Sequence, residues 1–170
     1  MSVAPLTWWY AAGINPVPWK SPTGSMVRRG GKLTVHMSAS GVMDAYKEAV
    51  AESIRDQYNP TPTKDDLELF FWFSRQLLGN DKKADATNLQ KSTEDSLHGL
   101  LFENDSQVRK VHSTILDQNK KAIPFIIIAH RAFEMDDQDQ HAWGLIKEFR
   151  PDTQQARILS EHDTEAARFF

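Results

Sequence analysis

The feature that most constrains this chain is an apolar run in its middle, DLELFFWFSRQL at residues 66–77. Four successive residues of the run are aromatic, and polar side chains become frequent only at its end. This composition is typical of a β-strand that lies in the interior of a sheet. The run therefore predicts a central strand.

Shorter segments predict the other strands. Apolar, aromatic or β-branched stretches at residues 6–14, 33–38, 108–118 and 122–133 are typical of strands. Because only the polar turn NKK separates the last two, we expect them to form an antiparallel hairpin. Residues 15–32 contain three prolines, three glycines and four basic residues, which predicts a loop rather than a packed element.

Two segments have the apolar spacing of helices. In the first, SASGVMDAYKEAVAESIRDQY, Ser38 or Ser40 is suited to cap the start, and Pro60 lies just beyond the end. The second is TNLQKSTEDSLHGLL, which opens with Thr87 and Gln90 in the spacing of a capping box. That spacing predicts Thr87 as the N-cap of the second helix.

The order of elements fits an α+β fold in which a single mixed β-sheet has two main helices packed against it. We expect this domain to span residues 1–133 and to be followed by an acidic C-terminal extension, residues 134–170, with one possible helix at 153–168. The domain holds 16 Lys and Arg against 14 Asp and Glu, whereas the extension holds 4 against 9. A nearly neutral domain can still bind DNA through a local basic patch, because phosphate attraction is short-ranged at ordinary salt.

The composition excludes several classes of protein. The 170 residues include no cysteine, which excludes disulfides, cysteine zinc sites and thiol nucleophiles and fits a reducing cytoplasm. We expect neither a transmembrane helix nor a secretory signal, and therefore no membrane partner. His36, His98, His112 and His130 lack the HxxxH and HExxH spacings of zinc sites, and glycine-rich nucleotide-binding and serine-hydrolase motifs do not occur.

Residues 84–108, ADATNLQKSTEDSLHGLLFENDSQV, place charged side chains around the second helix. Asp85 precedes the helix, Lys91 falls within it, and Asp105 follows it. Two carboxylates with a lysine beside them suit a Mg²⁺ site, and a helix N-terminus suits a phosphate. The alternative is structural, with the aspartates as turn residues and Lys91 paired on the helix surface to Asp95. Spacing alone leaves both interpretations open.

The pattern D-x-x-N-L-x-K, then D-x-L, then a carboxylate-bearing turn and S-Q-V, resembles the RusA family of Holliday junction resolvases. The resemblance extends upstream through VHMSASGVMDAYKEAV and downstream to the last two strands, so that it spans residues 7–133. The matching residues are Asp85, Asn88, Leu89, Gln90, Lys91, Asp95, Leu97, Asp105, Gln107 and Val108.

This resemblance implies a small homodimeric endonuclease of phage or prophage origin, cytoplasmic in a bacterial host and active in DNA recombination and repair. Such an enzyme would require Mg²⁺, with Mn²⁺ as a substitute, and would nick two opposing strands of a four-way junction symmetrically. The resemblance assigns the first metal aspartate to Asp85, the lysine to Lys91 and the last aspartate to Asp105.

The sequence departs from the family pattern at two positions. Thr87 stands where the family has a second aspartate, and Asn104 stands in place of one member of an aspartate doublet. Both can still offer neutral oxygen ligands, and Asp95 or Glu103 can supply a further charge. One alternative is therefore a catalytically weakened protein that binds branched DNA, and another is a nuclease that acts on flaps, forks or replication intermediates.

Basic residues in two segments are candidates for contact with the DNA backbone. The first segment is the predicted loop, which contributes Lys20, Arg28, Arg29 and Lys32. The second is the pair Lys82 and Lys83 beside Asp85. A solvated basic loop without a ligand is the alternative interpretation of the first segment.

Overall fold

The structure is a computed structural model that describes residues 5–19, 23–29, 32–38, 41–57 and 60–148, with the backbone alone for 23–29 and 32–38. The chain divides into two compact units, Met1–Phe133 and Glu134–Phe170.

The described residues of the first unit form six strands and two helices. The strands are β1 (Thr7–Ala12), β2 (Thr23–Arg29), β3 (Lys32–Ser38), β4 (Leu67–Gln76), β5 (Val108–Asn119) and β6 (Phe125–Ala132). The helices are α1 (Gly41–Gln57) and α2 (Ala86–Glu94), and a short 3-10 turn, Asp105–Gln107, precedes β5.

Four strands form one mixed sheet in the order β1-β6-β4-β5. β4 pairs with β5 in parallel and with β6 in the antiparallel direction, so that Phe71 lies opposite both Ser113 and Ile128. The prediction that residues 66–77 supply a central strand is confirmed, as is an α+β fold built on a mixed sheet.

The predicted hairpin of the last two strands is wrong, because β5 and β6 lie on opposite sides of β4. The connection crosses the end of β4, where Ser74 Oγ donates to the carbonyl of Ile123 and Gln76 Nε2 donates to the carbonyl of Lys120. β6 is apolar on both faces and takes an interior position, whereas β5 alternates with polar residues and takes an edge.

The predicted loop at residues 15–32 needs correction, and the strand predicted at residues 33–38 lies outside the mixed sheet. Residues 23–29 form β2, which pairs antiparallel with β3 in a separate two-stranded sheet. The two glycines between these strands in the sequence are a hairpin signal that outweighs the abundance of proline before them.

The hydrophobic core lies between the sheet and the two helices. α1 contributes Tyr46, Val50 and Ile54, which belong to the same buried cluster as Leu69 and Phe71 of the sheet. Helix α2 contributes Leu89, and the chain after it contributes Leu97, Leu101 and Phe102. This packing fixes α2 and the segments at its two ends against the sheet.

The opposite face of the sheet carries partly exposed aromatic and charged side chains. Phe70 stacks on His112 with ring centroids 4.5 Å apart, and His112 Nε2 lies 2.6 Å from Oε1 of the buried Glu68. The second oxygen of Glu68 accepts a hydrogen bond from Arg131 Nε. Burial alone would raise the pKa of Glu68, but these two hydrogen bonds hold it below its ordinary value.

In the second unit, the structure describes helix α3 (Asp137–Glu148). Asp139 N donates to Asp136 Oδ1 at 2.9 Å and Asp136 N donates to Asp139 Oδ2 at 3.1 Å, a reciprocal cap that our sequence analysis missed. The helix predicted at 153–168 lies outside the described residues. No helix within the described part of the chain is long and apolar enough to cross a membrane.

Candidate active site around helix α2

Helix α2 is held along β5 by hydrogen bonds at its start. Gln118 accepts from the backbone N–H of Ala84 at 2.8 Å and donates to its carbonyl at 3.0 Å. Ser113 Oγ donates to the carbonyl of Ala86 at 3.1 Å. These bonds fix the residue between them, Asp85, relative to the sheet.

Asp85 is the N-cap of α2. Its Oδ1 accepts from Asn88 N and its Oδ2 accepts from Asn88 Nδ2, both at 2.8 Å. The prediction of Thr87 as N-cap is wrong, and Thr87 is an exposed residue in the first turn. Asp is the stronger capping residue, and here it sits three residues before a second polar partner, Asn88. The carboxylate of Asp85 is therefore exposed but fixed in direction.

A cleft of about 430 Å³ opens beside Asp85. It is lined by Pro18, Trp19, Arg75, Asn80, Asp81, Lys82, Lys83, Ala84, Asp85 and Asn88. Both Lys82 and Lys83 are exposed, so the structure brings two of the predicted DNA-binding residues next to the predicted catalytic aspartate. The cleft thus combines a carboxylate with cations and the positive end of a helix dipole.

Arg75 shapes this cleft, although our sequence analysis did not single it out. Its buried guanidinium pairs with Asp81 Oδ2 at 3.0 Å and donates to the carbonyls of Pro16 and Lys82, each at 3.0 Å. The arginine therefore ties the loop that carries Lys82 and Lys83 to the end of β4.

Lys91 has a different partner from the one considered in the structural alternative. Its Nζ lies over the Trp19 ring, 3.9 Å from the ring centroid. Asp95 instead accepts from Lys47 Nζ of α1 at 2.7 Å. The contact between Lys91 and Trp19 joins residues far apart in the sequence, and no spacing rule indicates it.

Asp105 opens the 3-10 turn that leads into β5. The turn is capped by Asn104, whose Oδ1 accepts from Ser106 N at 2.9 Å. Gln107 Oε1 accepts from the backbone N–H groups of Glu103 and Asn104 at 2.9 and 2.7 Å. The sequence E-N-D-S-Q therefore builds a rigid turn in which Asn104 has a capping role.

Asp105 lies close enough to the C-terminal end of α2 to act electrostatically on Glu94. Burial raises the pKa of Glu94, and the negative charges of Asp105 and Asp95 raise it further. A hydrogen bond from Gln90 and the charge of Lys91 oppose this shift only in part. Glu94 is a carboxylate that our sequence analysis missed, and its only sequence signal is its place three residues after Lys91.

A comparison with known protein families decides the affiliation of the chain. The family model described as Endodeoxyribonuclease RusA matches residues 14–128. The chain belongs to the RusA family. A search of curated proteins found no match. Members of the RusA family are endodeoxyribonucleases that act on branched DNA and generally depend on a divalent metal.

The carboxylates in the described part of this RusA chain do not form one preassembled metal cage. In the ranges that the structure describes, no three acidic or histidine side chains are grouped as ligands. Asp85 is at the start of α2, and Glu94, on which Asp105 acts, is at its end. From Asp85 to Glu94 the helix rises by nine residue steps, which corresponds to about 13 Å. This donor set fits an ion that is held by one or two carboxylates, waters and substrate phosphate, the usual pattern for Mg²⁺.

The remaining predicted DNA-binding residues of this RusA chain belong to the β2–β3 hairpin and the segment before it. Arg28 and Arg29 are on β2 and Lys32 is on β3, with Arg29 opposite Lys32 in the register. Lys20 lies outside the described residues. Contact between these residues and DNA remains a prediction.

Proposed function

We propose that this RusA protein is a Mg²⁺-dependent endonuclease that resolves four-way DNA junctions by symmetric paired nicking. The observation that supports this function best is the cleft in which Asp85, fixed as the cap of α2, stands beside Lys82 and Lys83. The residues proposed to carry the reaction are Asp85, Lys91 and Asp105.

The chain's own groups would act on the scissile phosphate in distinct ways. Lys82, Lys83 and the N-terminus of α2 bind the DNA backbone and neutralise its charge. Lys91 stabilises the negative charge that develops as the phosphodiester is hydrolysed. Asp85 and Asp105 are the proposed metal-holding carboxylates. Because they lie at opposite ends of α2, each would hold its own ion, with Thr87 as a candidate additional ligand at the first end and Asn104 and Asp95 at the second. A bound Mg²⁺, or Mn²⁺ in its place, supplies polarisation of the phosphate and activation of water.

We propose that the protein acts as a homodimer on DNA in a bacterial cell that carries a phage or prophage. A four-way junction has paired scissile strands, and a two-fold dimer presents two equal sites to them. Sedimentation of the protein with and without a junction tests this assembly, and a monomer that nicks both strands independently would contradict it.

A second candidate function is binding of branched DNA without efficient cleavage. Asn104 favours it, because its side-chain oxygen already caps the 3-10 turn. Thr87 favours it as well, because the first turn of α2 then lacks a second carboxylate. Introducing that group by Thr87→Asp separates the candidates, since a large gain in cleavage would indicate a weakened site.

The first experiment compares cleavage of a labelled four-way junction, a flap, a fork and a linear duplex in Mg²⁺, Mn²⁺ and EDTA. The variant is Asp85→Asn, which retains a good capping residue. The matched control is Asp44→Asn, an exposed acidic residue in the first turn of α1. We expect paired nicks on the junction alone, lost in EDTA and in Asp85→Asn. Binding without cutting in either metal would favour the second candidate, and preferential flap or fork cleavage would reassign the substrate.

A further inference from the structure

Trp19 contacts the lysine that the RusA pattern places in the active site. Lys91 Nζ lies 3.9 Å from the centroid of the indole ring. This is well inside the distance of about 6 Å at which an ammonium is attracted to an aromatic face, and tryptophan is the best such partner. Trp19 also lines the cleft that contains Asp85. The indole ring of Trp19 therefore adjoins both the ammonium of Lys91 and the cleft.

The indole is positioned by its own backbone. Trp19 N donates to the carbonyl of Asn88 at 2.9 Å, and Ser92 Oγ donates to the carbonyl of Val17 at 2.5 Å. Asn88 and Ser92 bracket Lys91 on α2, so residues 17–19 are attached to the helix on both sides of the lysine. Pro16, the residue before this segment, accepts from the buried Arg75. Trp19 is thus anchored by contacts that do not involve the side chain of Lys91.

The acidic groups that would compete for Lys91 are already bonded. Asp95 accepts from Lys47 at 2.7 Å, and Glu94 Oε2 accepts from Gln90 Nε2 at 3.2 Å. An exposed lysine has four rotatable bonds and samples many positions unless a neighbour selects one. The negative charge of Glu94 attracts Lys91, whereas the indole face of Trp19 is in contact with its ammonium and so selects its position.

We propose that Trp19 is a positioning residue that holds the ammonium of Lys91 beside the cleft, ready to meet a substrate phosphate. This inference rests on the proposed function of that site. Exposed cation–π contacts are weak, so the contact shifts the population of Lys91 conformers by about two- to five-fold rather than by orders of magnitude. We expect Trp19→Leu to lower the single-turnover cleavage rate by about that factor.

The kinetic test is a double-mutant cycle between Trp19 and Lys91. Trp19→Leu should slow the cleavage step and leave junction affinity nearly unchanged. The conservative variant Trp19→Phe, which keeps an aromatic face, should retain most of the wild-type cleavage rate. In a Lys91→Met background, Trp19→Leu should have no further effect on rate, because the group that it positions is absent. Equal effects of Trp19→Leu with and without Lys91 would overturn the proposal.

A spectroscopic test examines the contact without DNA or metal. The ε-methylene resonances of Lys91 should be shifted upfield by the indole ring current, less so in Trp19→Phe, and not in Trp19→Leu. The matched control is Trp143→Leu, because Lys147 Nζ lies 5.4 Å from the centroid of the Trp143 ring in the second unit. That change should affect the Lys147 resonances and leave those of Lys91 alone.

The two tests separate failure of this inference from failure of the proposed function. An unshifted Lys91 resonance in a wild-type protein that cuts junctions would overturn the role of Trp19 alone. A shifted resonance in a wild-type protein that cuts no DNA would overturn both the nuclease function and the catalytic purpose of the contact. Thermal melting of Trp19→Phe and Trp19→Leu shows whether any loss of rate comes from unfolding.

Discussion

The two ends of α2 place carboxylates in opposite electrostatic settings. At the N-terminal end, the carboxylate of Asp85 accepts two hydrogen bonds and stands beside Lys82 and Lys83. At the C-terminal end, Glu94 feels the negative charges of Asp95 and Asp105 in addition to its burial. The helix dipole strengthens the contrast, because it is positive at the first end and negative at the second.

The two ends of α2 therefore differ in the ligands that they attract. A phosphate is attracted to the N-terminal end by the dipole and the lysines. The C-terminal end repels a phosphate until a proton or a cation compensates its carboxylates. Lys91 lies between the two ends along the helix, where a charge on either side can act on it.

The largest effect on cleavage should come from removing a carboxylate, which is tested separately at each end of α2. We expect Asp85→Asn to lower the single-turnover cleavage rate by more than about 100-fold, because a metal-held phosphate accounts for several kcal/mol of barrier. Asp105→Asn should lower the rate less, because the negative charges of Glu94 and Asp95 remain at that end of α2. A quench-flow assay on a labelled junction compares them, with Asp44→Asn as the control. A larger loss in Asp105→Asn would place the main catalytic carboxylate at the C-terminal end.

The next effect concerns the affinity of the N-terminal end for DNA. Replacing Lys82 and Lys83 with alanine should weaken junction binding by about tenfold and reduce the slope of log affinity against log salt by about two. The exposed neighbours Lys120 and Lys121, in the turn between β5 and β6, provide a matched pair for the same double change. A salt titration of binding measures both variants, and equal slopes would show that Lys82 and Lys83 do not contact phosphate.

The sheet shows which parts of the fold the sequence could predict. The run at residues 66–77 occupies the centre because its composition suits only an interior strand. The short connection between β5 and β6 suggested a hairpin, yet both edges of β4 were open to new strands. The apolar character of β6 favours a position with two neighbours, and that choice depends on competition between strands rather than on local pattern.

The candidate site shows the same limit at the level of side chains. Asp85 and Thr87 both suit a cap, and the choice depends on Asn88, which donates to Asp85 with its backbone and side chain. The positions of Asp85, Lys91 and Asp105 on or beside α2 could be read from spacing, whereas their roles stay predictions. The roles of Trp19 and Arg75 could not be predicted from spacing, because the contact of Trp19 with Lys91 and that of Arg75 with Pro16 each join residues more than 50 positions apart.

A moderate effect on stability should come from the bond that fastens the C-terminal turn of α2 to α1. The buried Tyr46 hydroxyl lies 2.6 Å from Thr93 Oγ1. Burial raises the pKa of Tyr46 far above the ordinary range, so the hydroxyl stays protonated at all working pH values. Tyr46→Phe should lower the free energy of unfolding by about 1 kcal/mol, the net worth of one buried hydrogen bond. The exposed Tyr10 gives the control Tyr10→Phe, and urea unfolding that does not distinguish the two would contradict the role of this bond.

The smallest expected effect, on stability, tests the negative charge that surrounds Glu94 at the C-terminal end of α2. The pKa of Glu94 is raised in the folded protein, so between its unfolded and folded values the native state binds more protons than the unfolded state. Stability contributed by Glu94 is therefore greatest at low pH and decreases as the pH rises through that window.

Glu94→Gln removes the charge and should raise the free energy of unfolding at neutral pH by a few tenths of a kcal/mol, the usual size of a like-charge contact on a helix. Below the ordinary pKa of glutamate the variant and the wild type should unfold alike, because both side chains are neutral there. Urea unfolding across that pH range measures the difference. A gain of the same size at every pH would trace the effect to packing rather than to the charges of Asp95 and Asp105.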